Sequence, residues 1–137
     1  MDLSKLYKKR FDDAERIQKN NIWKILCSDF FQKYISKDDV VVDIGAGYCD
    51  FINNIKCAEK YAVDMNEEVS KYAASDVRVI KKNATAGISV LGDNSADVVF
   101  MSNVLEHFHT KEEIIEILAG CFRILRPRGG QDNDFRP

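Results

Sequence analysis

The sequence predicts an α/β domain of Rossmann-like type, a parallel sheet with helices on both faces. Three observations carry that expectation. Val40-Val41-Val42-Asp43-Ile44 is a short β-branched run, apolar on both faces, as a central parallel strand requires. Three further strand-like runs alternate with helical stretches through short connections, the pattern of right-handed crossovers. The informative polar and glycine residues fall at the ends of these runs, where open parallel sheets place their ligands.

Taken in order, the chain opens with two expected helical segments. Residues 3–19 are strongly charged, with scattered Leu3, Leu6, Phe11 and Ile17. In the next segment Ile22, Leu26, Phe30 and Tyr34 recur every four residues beside Trp23, which predicts one apolar stripe packed on the core. The run Lys37-Asp38-Asp39 ends that pattern, and the first strand follows over residues 40–44. Gly45-Ala46-Gly47 turns into a short helix near Asp50–Ile55. Tyr61–Val63 predicts a second strand ending at Asp64, and Asn66 caps a helix through Tyr72. Val77–Ile80 and Asp97–Met101 predict the third and fourth strands, the latter ending at Ser102-Asn103. Thr110 and Glu113 form a T-x-x-E capping box for the last helix. That helix carries Ile114, Leu118, Phe122 and Leu125 on one face and stops at Pro127 and Gly129-Gly130.

Composition sets the outer bounds. The 137 residues suffice for one domain, with N-terminal helices over 1–36, a ligand-binding core over 40–130 and a tail over 131–137. A net charge of −2 offers no global attraction for nucleic acid or an anionic membrane, and Lys8-Lys9-Arg10 is followed at once by Asp12 and Asp13. No apolar run approaches the roughly 20 residues of a membrane span. The N-terminus has no apolar secretory core, so the cytoplasm is the expected location. Four cysteines without C-x-x-C or paired spacing suggest reduced thiols rather than zinc or disulfides. His107-Phe108-His109 lacks a firm third ligand, so no metal is expected.

The chemistry concentrates at two strand ends. Asp43 closes the first strand, and Gly45 and Gly47 follow in a D-x-G-x-G turn whose missing Cβ atoms let a ligand approach the main chain. Asp64 ends the second strand 19 positions after Gly45, where a carboxylate can accept from both hydroxyls of a ribose. Dinucleotide binding is the rival. It asks for a third glycine at Asp50, where a carboxylate would repel a pyrophosphate on the helix N-terminus. A nucleoside ligand without phosphates suits this turn better, and S-adenosylmethionine is one.

The motifs together resemble the class I S-adenosylmethionine-dependent methyltransferases. Val41–Gly47 is similar to their first motif, and Ala62-Val63-Asp64 to the acidic motif of their second strand. Asn83-Ala84 resembles the Asp-Ala pair after the third strand, and Ala96–Phe108 the fourth strand with its L-E-H signature. Phe122–Pro127 with Gly129-Gly130 resembles the turn before the fifth strand. The resemblance implies roles residue by residue. Asp43, Gly45 and Gly47 shape the methionine and ribose pocket, and Asp64 holds the ribose hydroxyls with Met65 on the adenine. Asn83 and Ala84 meet the adenine edge, and backbone at Ser102 and Asn103 meets the methionine end. His107, beside Glu106, is the candidate general base, with a structural imidazole as the alternative reading. The cofactor implied is S-adenosyl-L-methionine, leaving as S-adenosyl-L-homocysteine.

Departures from the family pattern are equally legible. Cys49 stands where many members have a third glycine, Asn83 replaces an Asp, and Arg128 splits the P-G-G turn. After Gly130 no apolar strand follows, so the family's C-terminal strands have no counterpart here; a truncation and an internal deletion both give this pattern. The fourth strand is then expected to be an uncharged apolar edge, paired by a second copy of the chain or by a partner. The implied function is methyl transfer to a small-molecule acceptor, or the cofactor-binding fragment of such an enzyme. The segment Trp23–Phe31 is similar to bacterial relatives acting on a sugar or another small metabolite. A non-catalytic cofactor- or partner-binding module is the alternative, and a nicotinamide-dependent oxidoreductase half is disfavoured by Asp50.

Overall fold

A computed structural model describes residues 2–128; the Gly129-Gly130 turn and the 131–137 tail lie outside the described residues. Four parallel strands, β1 (Val40–Ile44), β2 (Glu59–Val63), β3 (Val77–Ile80) and β4 (Val98–Met101), form one sheet in the order β3-β2-β1-β4. Strand order runs outward from β1 to β3 and then returns to the other side of β1. The reversal therefore falls between the tips of β1 and β4, the position where such sheets bind ligands. All five residues of β1 are buried, which fits their β-branched, two-face-apolar sequence.

Five helices cover the two faces: α1 (Leu3–Asp29), α2 (Asp50–Asn54), α3 (Val69–Tyr72), α4 (Ala84–Val90) and α5 (Lys111–Ile124). The two-residue period of the strands divides their side chains between two cores. Val41, Ala62, Val77, Val98 and Phe100 meet Cys27 of α1, Phe51 and Ile52 of α2, and Val69 of α3. Val42, Ile44, Val63, Val99 and Met101 meet Ile88 of α4 and Ile117, Cys121 and Ile124 of α5. Asp43 falls in the Val41 row, so its carboxylate rises on the α1–α2 side.

Three expectations need correction. The N-terminal region is one helix of 27 residues, because nothing between Asp2, whose side chain caps Ser4, and Asp29 breaks the helical path. Its core contact is not the Ile22–Leu26–Phe30–Tyr34 stripe. Cys27 is fully buried and Trp23 packs beside it, whereas all four stripe residues are exposed. The last helix shows the same offset, burying Ile117, Cys121 and Ile124 while Leu118 and Phe122 face outward. A helix also occupies 84–90, where the sequence suggested none. Asn83 caps it by accepting from the Ala86 N–H at 2.9 Å. Gly87 lets it settle on β2, since a Cβ there would stand 2.2 Å from a Val63 methyl.

β4 lies at the sheet edge. Beyond it, the described chain makes only an isolated parallel bridge between Ala96 and Leu125, with the Arg126 N–H donating to the Ala96 carbonyl at 2.8 Å.

Candidate cofactor site

The turn after β1 is built from left-handed backbone. Gly45 (φ 73°) and Gly47 (φ 54°) lie in that region, and so does Cys49 (φ 62°) at the head of α2. Two of the three are glycines, for which this conformation carries no Cβ penalty. Cys49 adopts it with a buried side chain, and burial pushes its thiol up to about 12, so it stays protonated. A Cβ on Gly45 would stand 2.5 Å from Val104 Cγ2, so the turn and the segment after β4 touch through bare backbone. A Cβ on Gly47 would meet nothing within 4 Å, so that stretch of main chain opens onto free space.

Hydrogen bonds fix the turn to the neighbouring strand. The N–H groups of Gly45 and Ala46 both donate to the Val63 carbonyl, at 2.7 and 3.2 Å. Asp64, one residue on, accepts from the Gly47 N–H at 2.8 Å through one oxygen and from the Asn66 N–H at 2.8 Å through the other. The two strand tips predicted to cooperate are thus physically tied. Each Asp64 oxygen retains a lone pair for a further donor.

A cleft opens beside this turn at the reversal point, lined by Asp43, Gly45, Ala46, Ser102 and Asn103 and walled by Trp23, Tyr48, Asp50, Phe51 and Phe100. Asp43 is 3% exposed, and no donor among the described residues hydrogen-bonds its carboxylate. Burial, with the nearby Asp64 charge adding to it, pushes its pKa from 3.8 up to about 7. A buried carboxylate without a protein partner, facing an open cleft, is suited to a cationic ligand.

The aromatic wall is packed as a unit. Phe51 stacks on Phe100 with centroids 3.8 Å apart, and Trp23 meets Phe100 edge-on at 6.1 Å. Arg16 of α1 crosses to the head of α2, where both its terminal nitrogens donate to Asp50, at 3.0 and 2.8 Å. The same guanidinium lies 3.7 Å from the centroid of the Tyr48 ring. This pair corrects one step of the sequence argument: Asp50 presents a compensated charge, so repulsion by Asp50 is a weak ground for excluding a dinucleotide.

Of the expected residues, Asp43, Gly45, Ser102 and Asn103 line the cleft, whereas Gly47, Asp64, Met65, Asn83, Ala84 and His107 lie outside its lining. Met65 is exposed just past Asp64, and Asn83 and Ala84 form the head of α4 beyond β3. Asn103 has φ 57°, a conformation asparagine tolerates, and turns the chain away from β4. His107 is exposed at the end of a 3-10 turn, Leu105–His107, and among the described residues its backbone N–H donates to the Val104 carbonyl while its ring has no hydrogen-bond partner. The sequence leaves Trp23 to core packing with pocket lining as the alternative, and the structure has it in both the core and the cleft wall; Arg16, Tyr48 and Phe100 are not singled out by the sequence. The four-residue step from Trp23 to the buried Cys27 was the available signal.

Fold and cleft define a parallel α/β domain with an open glycine turn at the reversal of strand order. Residues 42–130 match the methyltransferase domain family, and the chain belongs to that family. No curated protein matches the chain. Among solved structures, an S-adenosylmethionine-dependent methyltransferase from Archaeoglobus fulgidus is 25% identical, with TM-score 0.63 over 78% of this chain and 48% of that one. The precorrin 8w decarboxylase of Methanobacterium thermoautotrophicum shares the fold at 21% identity, TM-score 0.59, over 77% and 58%. Phosphoethanolamine N-methyltransferase 1 of Haemonchus contortus, solved with phosphoethanolamine and S-adenosylhomocysteine, shares it at 23% identity, TM-score 0.53, over 65% and 20%. The chain spans about half the length of the first two. S-adenosylmethionine is the cofactor of this family, and the open backbone at Gly47 and the unpartnered Asp43 fit it. Among the described residues no helix is long and apolar enough to cross a membrane.

Proposed function

We propose that this chain binds S-adenosylmethionine between the tips of β1, β2 and β4 and serves methyl transfer to a small-molecule acceptor. The observation that carries this reading is the pairing of a partnerless buried carboxylate, Asp43, with a turn whose Gly47 N–H is held by Asp64. Bound cofactor supplies an activated methyl on a sulfonium, a leaving arrangement that asks for no metal. The protein's task is then to bind and to orient, and orientation of this kind lowers a barrier by about 7–11 kcal/mol.

Roles follow from position. Asp64 offers its free lone pairs to ribose hydroxyls while fixing the turn. Gly45 and Gly47 give main-chain access, and Asp43 faces the cationic end of the ligand. Met65 and the Asn83-Ala84 helix head are assigned to the adenine edge. Asn83 Oδ1 already accepts one N–H, which leaves one acceptor site on it. Ser102 and Asn103 present backbone to the methionine end. Trp23, Phe51 and Phe100 exclude water from one wall. His107, exposed at the end of its turn, is assigned the role of general base toward an acceptor hydroxyl, with a structural imidazole as the other reading.

Isothermal titration of the chain with S-adenosylmethionine, S-adenosylhomocysteine and NAD tests the binding claim. Micromolar affinity for the first two, lost in Asp64→Ala, supports it. Tighter binding of NAD, or an Asp64→Ala variant that binds S-adenosylhomocysteine as well as the parent, refutes it.

A further inference from the structure

The cleft at the reversal of strand order carries negative charge in its lining and positive charge just beyond it. Asp43 and Asp50 line it, and no lysine or arginine does among the described residues. Asp43 is buried without a donor among those residues, whereas Asp50 is met by Arg16 of α1. Arg16 shares a helix face with Asn20, Trp23 and Cys27, at spacings of four, three and four. Cys27 sits in the core, Trp23 walls the cleft, and Asn20 meets Asn54 of α2 at 3.0 Å. Two turns before Trp23, about 10 Å along the helix axis, Arg16 reaches the head of α2.

Two residues that line the cleft hold this guanidinium between them. Its terminal nitrogens donate to Asp50 at 3.0 and 2.8 Å, and its carbon lies 3.7 Å from the centroid of the Tyr48 ring. Tyr48 is braced in turn by Tyr72 of α3, edge-on at 4.8 Å. A guanidinium carries five N–H donors, and the bonds to Asp50 use two of them. The other three have no hydrogen-bond partner among the described residues, and the Arg16 side chain is 27% exposed. Fixed between a carboxylate and an aromatic face, the fork is ordered before any ligand arrives. A buried carboxylate without a donor and an ordered guanidinium with spare donors, set against one cleft, are the complement of a zwitterion.

We infer that Arg16 is a specificity-determining residue of this cleft, an anion receptor that takes a carboxylate on its spare N–H donors while Asp43 meets a cationic group. The inference rests on the cofactor reading above for what fills the cleft. Two sources can bring the carboxylate: the amino acid end of the cofactor, which carries an ammonium for Asp43 as well, and an anionic acceptor. In either case Asp50 and Tyr48 act through Arg16. They orient the guanidinium and do not themselves meet the anion.

Calorimetric titration of the parent chain and two variants with S-adenosylhomocysteine and with methylthioadenosine tests this. Methylthioadenosine keeps the adenosyl group and lacks the amino acid end. Arg16→Gln keeps a good helix former with an N–H donor but removes the charge and the fork, and Arg16→Lys restores the charge alone. With the carboxylate supplied by the cofactor, Arg16→Gln weakens S-adenosylhomocysteine roughly 10–100-fold and Arg16→Lys recovers part of that loss, while methylthioadenosine binds all three chains alike. With the carboxylate supplied by the acceptor, both nucleosides are indifferent to Arg16. Acetate then shifts amide resonances at the cleft of the S-adenosylhomocysteine-loaded parent and not of loaded Arg16→Gln. Equal weakening of both nucleosides makes Arg16 a fold contact and overturns the proposal. So does indifference of both nucleosides without Arg16-dependent acetate binding. A parent chain that binds neither nucleoside overturns the cofactor reading, and this proposal with it, whereas a parent that binds both keeps the two claims separate.

Discussion

Replacing Asp43 with asparagine removes one ionisation while keeping nearly the shape of the protonated acid. In the folded chain, burial and the neighbouring Asp64 hold the Asp43 pKa at about 7, against an ordinary 3.8. Between those two values the folded state carries a proton that the unfolded state has released. The contribution of Asp43 to stability is therefore greatest below pH 3.8, declines as pH rises, and is fully lost above pH 7. Each pH unit in that window costs about 1.4 kcal/mol, so the whole span amounts to about 4 kcal/mol. Asparagine does not titrate, and the stability difference between Asp43→Asn and the parent isolates this one group. Urea unfolding of both chains should show the variant gaining about 3 kcal/mol on the parent between roughly pH 5 and pH 8. Parallel stability profiles across that range would mean that the carboxylate is not desolvated at the tip of β1, and the cleft described here would be wrong.

Other consequences are open to direct measurement. If a cationic ligand is read by ionised Asp43, affinity for S-adenosylmethionine should rise about tenfold per unit up to about pH 7 and then level off, with proton release detectable by titration in two buffers; Asp43→Asn should flatten the profile. Arg16→Ala strips the paired charge from Asp50 and frees α1 from α2, and should cost about 2 kcal/mol in urea unfolding, with a double-mutant cycle against Asp50→Asn recovering most of it. Gly45→Ala meets both the left-handed backbone and the Val104 methyl, and should cost about 2–3 kcal/mol. Adding Val104→Ala should return only the steric part of that cost, and full recovery would show that the backbone at residue 45 is not left-handed.

How much of this was legible beforehand differed by element, for physical reasons. β1 announced itself because a strand buried on both faces needs an unbroken β-branched run, and Asp43, Gly45 and Gly47 follow it directly in sequence. The Thr110–Glu113 box is met in half: Thr110 accepts from the Glu113 N–H as its spacing implied, but the Glu113 carboxylate accepts from the His109 N–H, one residue before the cap, rather than from Thr110. Helix faces misled. Ile22, Leu26, Phe30 and Tyr34 have the stronger periodicity, yet α1 is oriented by Trp23 and Cys27, whose contacts with Phe51 and Phe100 join residues far apart in the chain. Periodicity reports an apolar flank without saying which neighbour it meets. α4 was hidden by Gly87 and β-branched Ile88 and Val90, poor helix formers by propensity, and it exists because Gly87 permits close approach to Val63. The Arg16–Asp50 pair and the bond from Gly47 to Asp64 depend on elements being side by side, and no local pattern encodes them.

In the proposed complex Asp43, the glycine turn and Asp64 surround a single adenosyl group. A crystal structure of the chain grown with S-adenosylhomocysteine measures that arrangement directly. Ribose hydroxyls are expected on the Asp64 oxygens, with main chain at Gly47 in contact with the ligand and the amino acid end reaching toward Asp43. A ligand seated elsewhere, or Asp64 carboxylate oxygens turned away from the sugar, would contradict it.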